Sequence, residues 1–153
     1  HILLLLSVIC ISTTTKASPK FGITGTSNGG AGITIMDNSY SASFLFSAIN
    51  NVDGVEDENK THYEFNTKYR HSLTTDTNAN IEVRYVMCSE QAFDDDDSDE
   101  NTRLSLTAGI DHALSDKLII FSETDIFSQK NVNDGETESS MFYNARAGVT
   151  LLF

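Results

Sequence analysis

The 153-residue sequence predicts an all-β protein, an eight-stranded antiparallel up-and-down β-barrel of the transmembrane type. Three observations support this fold class. After residue 20, apolar and polar residues alternate with a period of two, which is typical of strands with two different faces. The connections between these segments alternate between short turns and longer acidic stretches. The alternation also continues to the last residue, Phe153.

The alternation is clear in residues 62–71, where Tyr63 and Phe65 share one face and Glu64 and Lys68 share the other. The predicted strands cover approximately residues 20–27, 30–37, 40–51, 61–73, 79–91, 101–114, 117–130 and 139–153. The first two are short and rich in Gly, so one long strand over 20–37 is the alternative to two short ones.

The connections differ in length and charge between the two ends of the predicted barrel. The short turns are 37–39, 74–78 and 115–117, and the longer acidic connections are 50–60, 93–101 and 131–138. Transmembrane barrels of bacteria have short periplasmic turns and longer extracellular loops. Eight strands would place both termini of the chain on the short-turn side.

The charges of the polar strand faces are balanced, with five acids and five bases, whereas the loops are almost entirely acidic. Charges buried in a small lumen must be paired, but charges in water need not be. The predicted lumen network consists of Glu64, Lys68, Arg70, Glu82, Arg84, Arg103, Asp111, Glu123, Asp125 and Arg146. The alternative is a soluble sheet that carries these charges on its water-facing surface.

The N-terminal run ILLLLSVICI, residues 2–11, is too short for a membrane-spanning helix and fits the apolar region of a secretory signal peptide. We expect a signal peptide over 1–17, with cleavage after Ala17, and the barrel over 18–153. The chain opens on His1 without a basic segment, so we expect the signal peptide to be truncated at its N-terminus. Its removal would leave Cys88 without an internal disulfide partner.

Three segments carry a resemblance to a known class of protein. Residues 69–86 and 105–123 are similar to the strand–turn–strand units of Gram-negative outer-membrane porins and small barrels. Residues 145–153, ARAGVTLLF, resemble the C-terminal signature strand of outer-membrane proteins. The matching positions of this insertion signal are Tyr143, Val149, Leu151 and Phe153. By size, the chain resembles eight-stranded barrels of the OmpA-domain, OmpX or opacity-protein type.

The resemblance implies a function as well as a location. It implies a non-enzymatic integral protein of the bacterial outer membrane, whose acidic extracellular loops serve surface interaction or envelope integrity. Its partners would be outer-membrane lipid, lipopolysaccharide and, during biogenesis, the barrel-assembly machinery; the extracellular ligand stays open. The alternative function is a narrow porin, or passive channel, for small solutes.

Several other functions are disfavoured by the sequence. The net charge of −12 argues against nucleic-acid binding. We find no nucleophile–base pair, no catalytic residue and no cofactor motif. An outer-membrane lipid hydrolase of the lipid A deacylase type pairs a His with a Ser two residues later. Here His62, His71 and His112 are followed at that spacing by Glu or Leu.

The acidic run DDDDSDE, residues 94–100, is the candidate for a metal site. Asp94, Asp95, Asp96 and Asp97 could supply oxygen ligands to Ca²⁺ or Mg²⁺. Consecutive Asp residues lack the spaced ligands and the Gly turn of a defined calcium loop, however. We therefore expect a solvated loop and no metal site, with cation bridging to lipopolysaccharide phosphates as the alternative.

Overall fold

A computed structural model describes residues 18–50, 58–92, 99–131, 137–142 and 144–153. The strands are β1 Lys20–Thr26, β2 Ala31–Met36, β3 Tyr40–Asn50, β4 Glu58–Ser72, β5 Thr77–Ala92, β6 Asp99–Ser115, β7 Leu118–Asn131, β8 Thr137–Ser140 and β9 Ala145–Leu152. The predicted signal peptide and most of the three long acidic connections lie outside the described residues. The described part of the chain contains no helix that could cross a membrane.

The strands form one closed antiparallel barrel. Each strand from β1 to β7 pairs with the next along the chain, and β9 pairs with both β7 and β1. β8 pairs with the far end of β7, so β8 and β9 together make the eighth strand. The predicted eight-stranded up-and-down barrel is therefore confirmed.

Residues 20–36 form two strands, which answers the question that the Gly-rich sequence left open. The turn between them is Ser27–Gly30, where Gly29 has a φ of +83°. That left-handed backbone conformation favours glycine. The turn is closed by hydrogen bonds from the Thr26 N–H to the Gly30 carbonyl and from the Gly29 N–H to the Thr26 carbonyl.

The eighth strand is interrupted, so the prediction of one continuous strand over 139–153 was wrong. β8 ends at Ser140 and β9 begins at Ala145, and between them Phe142 has a φ of +53°. The Asn144 carbonyl still accepts a hydrogen bond of 2.8 Å from the Asp125 N–H, which holds the interruption against β7. Because the alternation restarts there, Phe142 is exposed rather than on the lumen face.

A β-bulge changes the faces of β7. The register with β6 shifts between Leu106 and Thr107, whose partners are Phe127 and Asp125. Strict alternation would place Phe127 on the same face as Asp125. The extra residue turns Phe127 outward, while Asp125 and Ser128 are both buried.

The barrel has a polar inside and an apolar outside. Among the described residues, nineteen polar or charged side chains are buried, but only four apolar ones: Met36, Leu45, Phe121 and Leu152. Large apolar side chains are instead exposed around the barrel on the outward positions of the strands. This distribution is the reverse of that in a soluble barrel.

The contact between β9 and β1 gives a test of barrel closure. A Cβ atom added to Gly148 would meet the Phe121 ring and the Gly25 carbonyl oxygen, whereas one added to Gly25 has no atom within 4 Å. We expect Gly148→Ala to lower the free energy of unfolding by about 2 kcal/mol. Gly25→Ala, one residue pair away, should change it by less than about 0.5 kcal/mol. Urea unfolding of the barrel in lipid vesicles measures both, and equal stabilities would contradict this packing.

Candidate functional site

The lumen collects the charges that the sequence analysis assigned to it. Of the ten predicted residues, nine are buried: Glu64, Lys68, Arg70, Glu82, Arg84, Asp111, Glu123, Asp125 and Arg146. They project from alternate positions of β4, β5, β6, β7 and β9. The tenth, Arg103 on β6, is half-buried. It lies on the long-loop side of Ser105 and is not part of the tightly buried cluster.

Arg146 of β9 joins the eighth strand to three others. Its guanidinium donates from Nη1 to Glu64 of β4, from Nη2 to Glu82 of β5 at 2.8 Å, and from Nε to Glu123 of β7 at 3.0 Å. The side chain of Arg146 is 4% exposed. A planar guanidinium with fixed donors suits this role, because it can engage several carboxylates at once.

Arg84 of β5 makes the second set of cross-lumen ion pairs. Its Nη1 atom donates to Asp125 at 3.0 Å and its Nη2 atom to Glu123 at 3.2 Å, both on β7. Its Nε atom donates to Glu82 on its own strand at 3.3 Å. One carboxylate oxygen of Glu123, Oε2, thus accepts hydrogen bonds from both Arg84 and Arg146.

A third set lies closer to the short turns. Lys68 of β4 forms an ion pair with Glu123 and lies 3.4 Å from Asp111, and its ammonium is 4.6 Å from the centre of the Phe121 ring. Arg70 donates from Nε to Asp111. The Asn80 amide also donates to Asp111, at 2.7 Å. Asp111 of β6 is therefore held by side chains of β4 and β5.

Charge in this cluster is nearly balanced. Five buried acids face four buried bases, so the cluster has a formal charge of −1 when all are ionised. Each of these carboxylates contacts at least one of the bases. Such pairing is required because an unpaired charge in a low-dielectric interior costs several kcal/mol.

The other half of the lumen is lined by hydroxyl groups, which the sequence analysis did not identify. Thr24 of β1 lies 2.6 Å from Thr34 of β2 and 2.8 Å from Thr150 of β9, oxygen to oxygen. Thr34 lies 2.8 Å from Ser43 of β3. The signal was present in the alternation, since these residues occupy inward positions, but uncharged side chains gave no reason to select them.

A small cavity of about 20 Å³ separates the charged half from the hydroxyl half. That volume suits about one water molecule. Two buried groups that border it, Asn66 Oδ1 and Arg70 Nη1, have no hydrogen-bond partner among the described residues. One group accepts and the other donates, so the cavity lining offers a water both an acceptor and a donor.

Several predicted site residues lie elsewhere. Val149, Leu151 and Phe153 of the predicted insertion signal are exposed on the outer surface, whereas Tyr143 lies outside the described residues. The candidate metal ligands Asp94, Asp95, Asp96 and Asp97 also lie outside them. Within the described ranges, no group of three His, Cys, Asp or Glu side chains could hold a metal ion.

The closed barrel, its apolar exterior and its paired interior charges define a transmembrane β-barrel. No protein-family model matches the sequence, and no curated protein does. The structure is similar to Neisserial surface protein A, with a TM-score of 0.55 and 13% identity over 88% of this chain and 94% of that one. It is also similar to the N-terminal β-barrel domain of OprF from Pseudomonas aeruginosa, with a TM-score of 0.56 and 9% identity over 88% and 96%.

At these identities the similarity is one of fold. The chain has the fold of small outer-membrane barrels, as the resemblance of its strand–turn–strand units predicted. What the individual neighbours do is not carried over to this chain by that similarity.

The ion pairs of Arg146 can be tested by stability. Arg146→Met leaves three carboxylates without their shared cation, so we expect the free energy of unfolding to fall by at least about 3 kcal/mol. Because Glu64 is one of these carboxylates, Glu64→Gln should cost less in the Arg146→Met background than in the wild type. Lys117→Met, at the exposed turn before β7, is the control and should cost less than about 0.5 kcal/mol. Additive costs for Arg146 and Glu64 would argue against the pair.

Proposed function

We propose that this chain is an integral protein of the bacterial outer membrane, has no enzymatic activity, and acts through the end of the barrel that carries the long acidic loops. The observation that carries the proposal is the lumen filled by ion pairs under an apolar exterior. The exterior suits a lipid environment because large apolar side chains face outward. A closed barrel also suits it, because its backbone groups can be paired between strands.

The filled lumen favours a role at the surface over transport. Arg146, Arg84 and Lys68 bridge strands across the interior, and the small cavity next to them has room for about one water. A solute larger than water would have to break several buried ion pairs to pass. Function would then depend on the acidic connections, which join the strands at the barrel end opposite the short turns.

The proposal includes the partners of the barrel in the membrane. Lipopolysaccharide would surround the loop end, with divalent cations between its phosphates and the loop carboxylates. The lipid-facing row of Val149, Leu151 and Phe153 supports recognition of the last strand by the barrel-assembly machinery. All three side chains are exposed in the folded barrel, with 44%, 50% and 70% of their surface accessible.

A narrow channel is the second candidate, and one observation favours it. The hydroxyl groups of Thr24, Thr34, Ser43 and Thr150 are polar and uncharged, so water could pass along them if the cavity were continuous. The two candidates make opposite predictions for ion conductance.

For the membrane location, we expect the protein to remain in the outer-membrane fraction until detergent is added. The unboiled protein should migrate differently on a denaturing gel from the boiled protein, because the paired strands of a closed barrel resist detergent. Fractionation followed by paired gel lanes is the measurement. A freely soluble protein would contradict the membrane location.

For the lumen, we expect no steady ion conductance when the purified barrel is inserted into a planar bilayer. Glu123 binds Lys68, Arg84 and Arg146, so Glu123→Ala should loosen the ion pairs and increase the frequency of opening events. Glu138→Ala, at the loop end of the eighth strand, is the control. Steady conductance of the wild type over many insertions would support the channel instead.

A further inference from the structure

Four hydroxyl groups of the lumen wall form one continuous chain of hydrogen bonds. They join β9, β1, β2 and β3 in that order, with oxygen–oxygen distances of 2.8, 2.6 and 2.8 Å, and belong to Thr150, Thr24, Thr34 and Ser43. We call these four residues the hydroxyl chain. Each hydroxyl has one proton to donate. Three bonds use three of the four protons, so one proton remains for an acceptor outside the chain.

The two ends of the hydroxyl chain have different neighbours. Beyond Thr150, the facing residue on β7 is Ile119, whose side chain offers no acceptor. Beyond Ser43, the facing residue on β4 is Asn66. The Asn66 amide donates from Nδ2 to Glu64 at 2.7 Å, and its Oδ1 atom is a buried acceptor without a partner among the described residues. An unpaired acceptor therefore lies at the Ser43 end of the chain.

Ser43 and Asn66 are close together, but no direct hydrogen bond joins them. Side chains directly opposite each other in antiparallel strands have Cβ atoms about 4.5–5.5 Å apart. Both residues border the cavity of about 20 Å³, and so does Arg70, whose Nη1 atom is a buried donor without a partner among the described residues. Asn66 and Arg70 are only 5% and 8% exposed. Polar groups at this depth are costly to leave unpaired, so the cavity needs a polar occupant.

The occupant must both accept and donate hydrogen bonds, and it must carry no charge. A cation in the cavity would lie beside two bases of the lining, Lys68 and Arg70. An anion would lie beside the Glu82 carboxylate and the unpaired oxygen of Asn66. Water avoids both conflicts, fits the volume, and would have three polar partners here, within the two to four that are usual for buried water.

We propose that one water molecule is bound between Ser43, Asn66 and Arg70 and joins the hydroxyl chain to the charged cluster. The water accepts from the Ser43 hydroxyl and from Nη1 of Arg70, and it donates to Oδ1 of Asn66. The remaining proton of the hydroxyl chain is thus used at its Ser43 end. The site goes beyond the proposed function and does not depend on what the acidic loops bind.

The bound water completes a belt of hydrogen bonds around the lumen. From the water, the belt passes through the Asn66 amide to Glu64, which also accepts from Arg146 of β9. β9 carries Thr150 as well, the other end of the hydroxyl chain. The belt therefore runs from β9 through β1, β2 and β3 to β4 and returns to β9 across the lumen. It connects the short β1–β2 hairpin to the charged cluster.

A double-mutant cycle tests the bound water, because Ser43 and Asn66 share no direct hydrogen bond. Ser43→Ala removes one donor to the water, and Asn66→Leu removes its acceptor. If one water links the two residues, Asn66→Leu should raise the equilibrium constant of unfolding about tenfold less in the Ser43→Ala background than in the wild type. Urea unfolding of the barrel in lipid vesicles is the measurement.

Ser105→Ala is the matched control, since it removes a buried hydroxyl that is bonded to Ser128 and lies outside the hydroxyl chain. In that background, the effect of Asn66→Leu should equal its effect in the wild type within about twofold. Equal effects of Asn66→Leu in all three backgrounds would overturn the proposal, because Ser43 and Asn66 would then act independently.

A high-resolution crystal structure of the wild-type barrel tests the site without any variant. We expect one water within about 2.7–3.2 Å of Ser43 Oγ, Asn66 Oδ1 and Arg70 Nη1. A dry cavity, an ion in place of the water, or a direct bond between Ser43 and Asn66 would overturn the site. None of these results would affect the proposed role of the acidic loops.

Discussion

The ion pairs across the lumen are the constraint on which the rest of this structure depends. Arg146 on the eighth strand reaches carboxylates of β4, β5 and β7, so its position requires that the barrel be closed and in register. A slip of one residue would turn Arg146 toward lipid and leave Glu64, Glu82 and Glu123 without that cation. Closure and register of the barrel are therefore both required by one network.

Different kinds of side chain fill the two halves of the barrel interior. The charged half is built by long strands, β4 to β7, whose side chains reach across the lumen. The hairpin of β1 and β2 contributes short hydroxyl side chains, and so does β9 at Thr150, with Thr24 between Thr34 and Thr150, whereas Arg146 of the same β9 belongs to the charged cluster. Long arginines on one wall are compatible with small residues on the other, since the total volume of a narrow barrel is limited. The short hairpin belongs to this second half, so its reduced height removes no member of the charged cluster.

The sequence predicted the eight-stranded barrel and the approximate bounds of its strands, and nine of the ten residues that it assigned to the lumen are buried, because alternation records which residues share a face. It did not predict the places where alternation is broken. The bulge beside Thr107 turns Phe127 outward, and the interruption at Phe142 divides the last strand. Both depend on hydrogen bonds to a neighbouring strand, such as that from the Asp125 N–H to the Asn144 carbonyl. A period-two pattern in one segment contains no information about its neighbour.

By itself, the sequence determined that this chain forms an all-β barrel with acidic connections at one end. The period-two alternation and the balance of charges on the strands can both be read directly from the order of the residues. Only the tertiary structure decided which acid each base contacts, since Lys68 and Glu123 are 55 residues apart and meet only when the barrel closes. It likewise decided how far the β1–β2 hairpin rises along the barrel wall. The length of the β1–β2 hairpin is visible in the sequence, but its height relative to β3 and β9 depends on the register of three strands, which is fixed by pairing in the closed sheet.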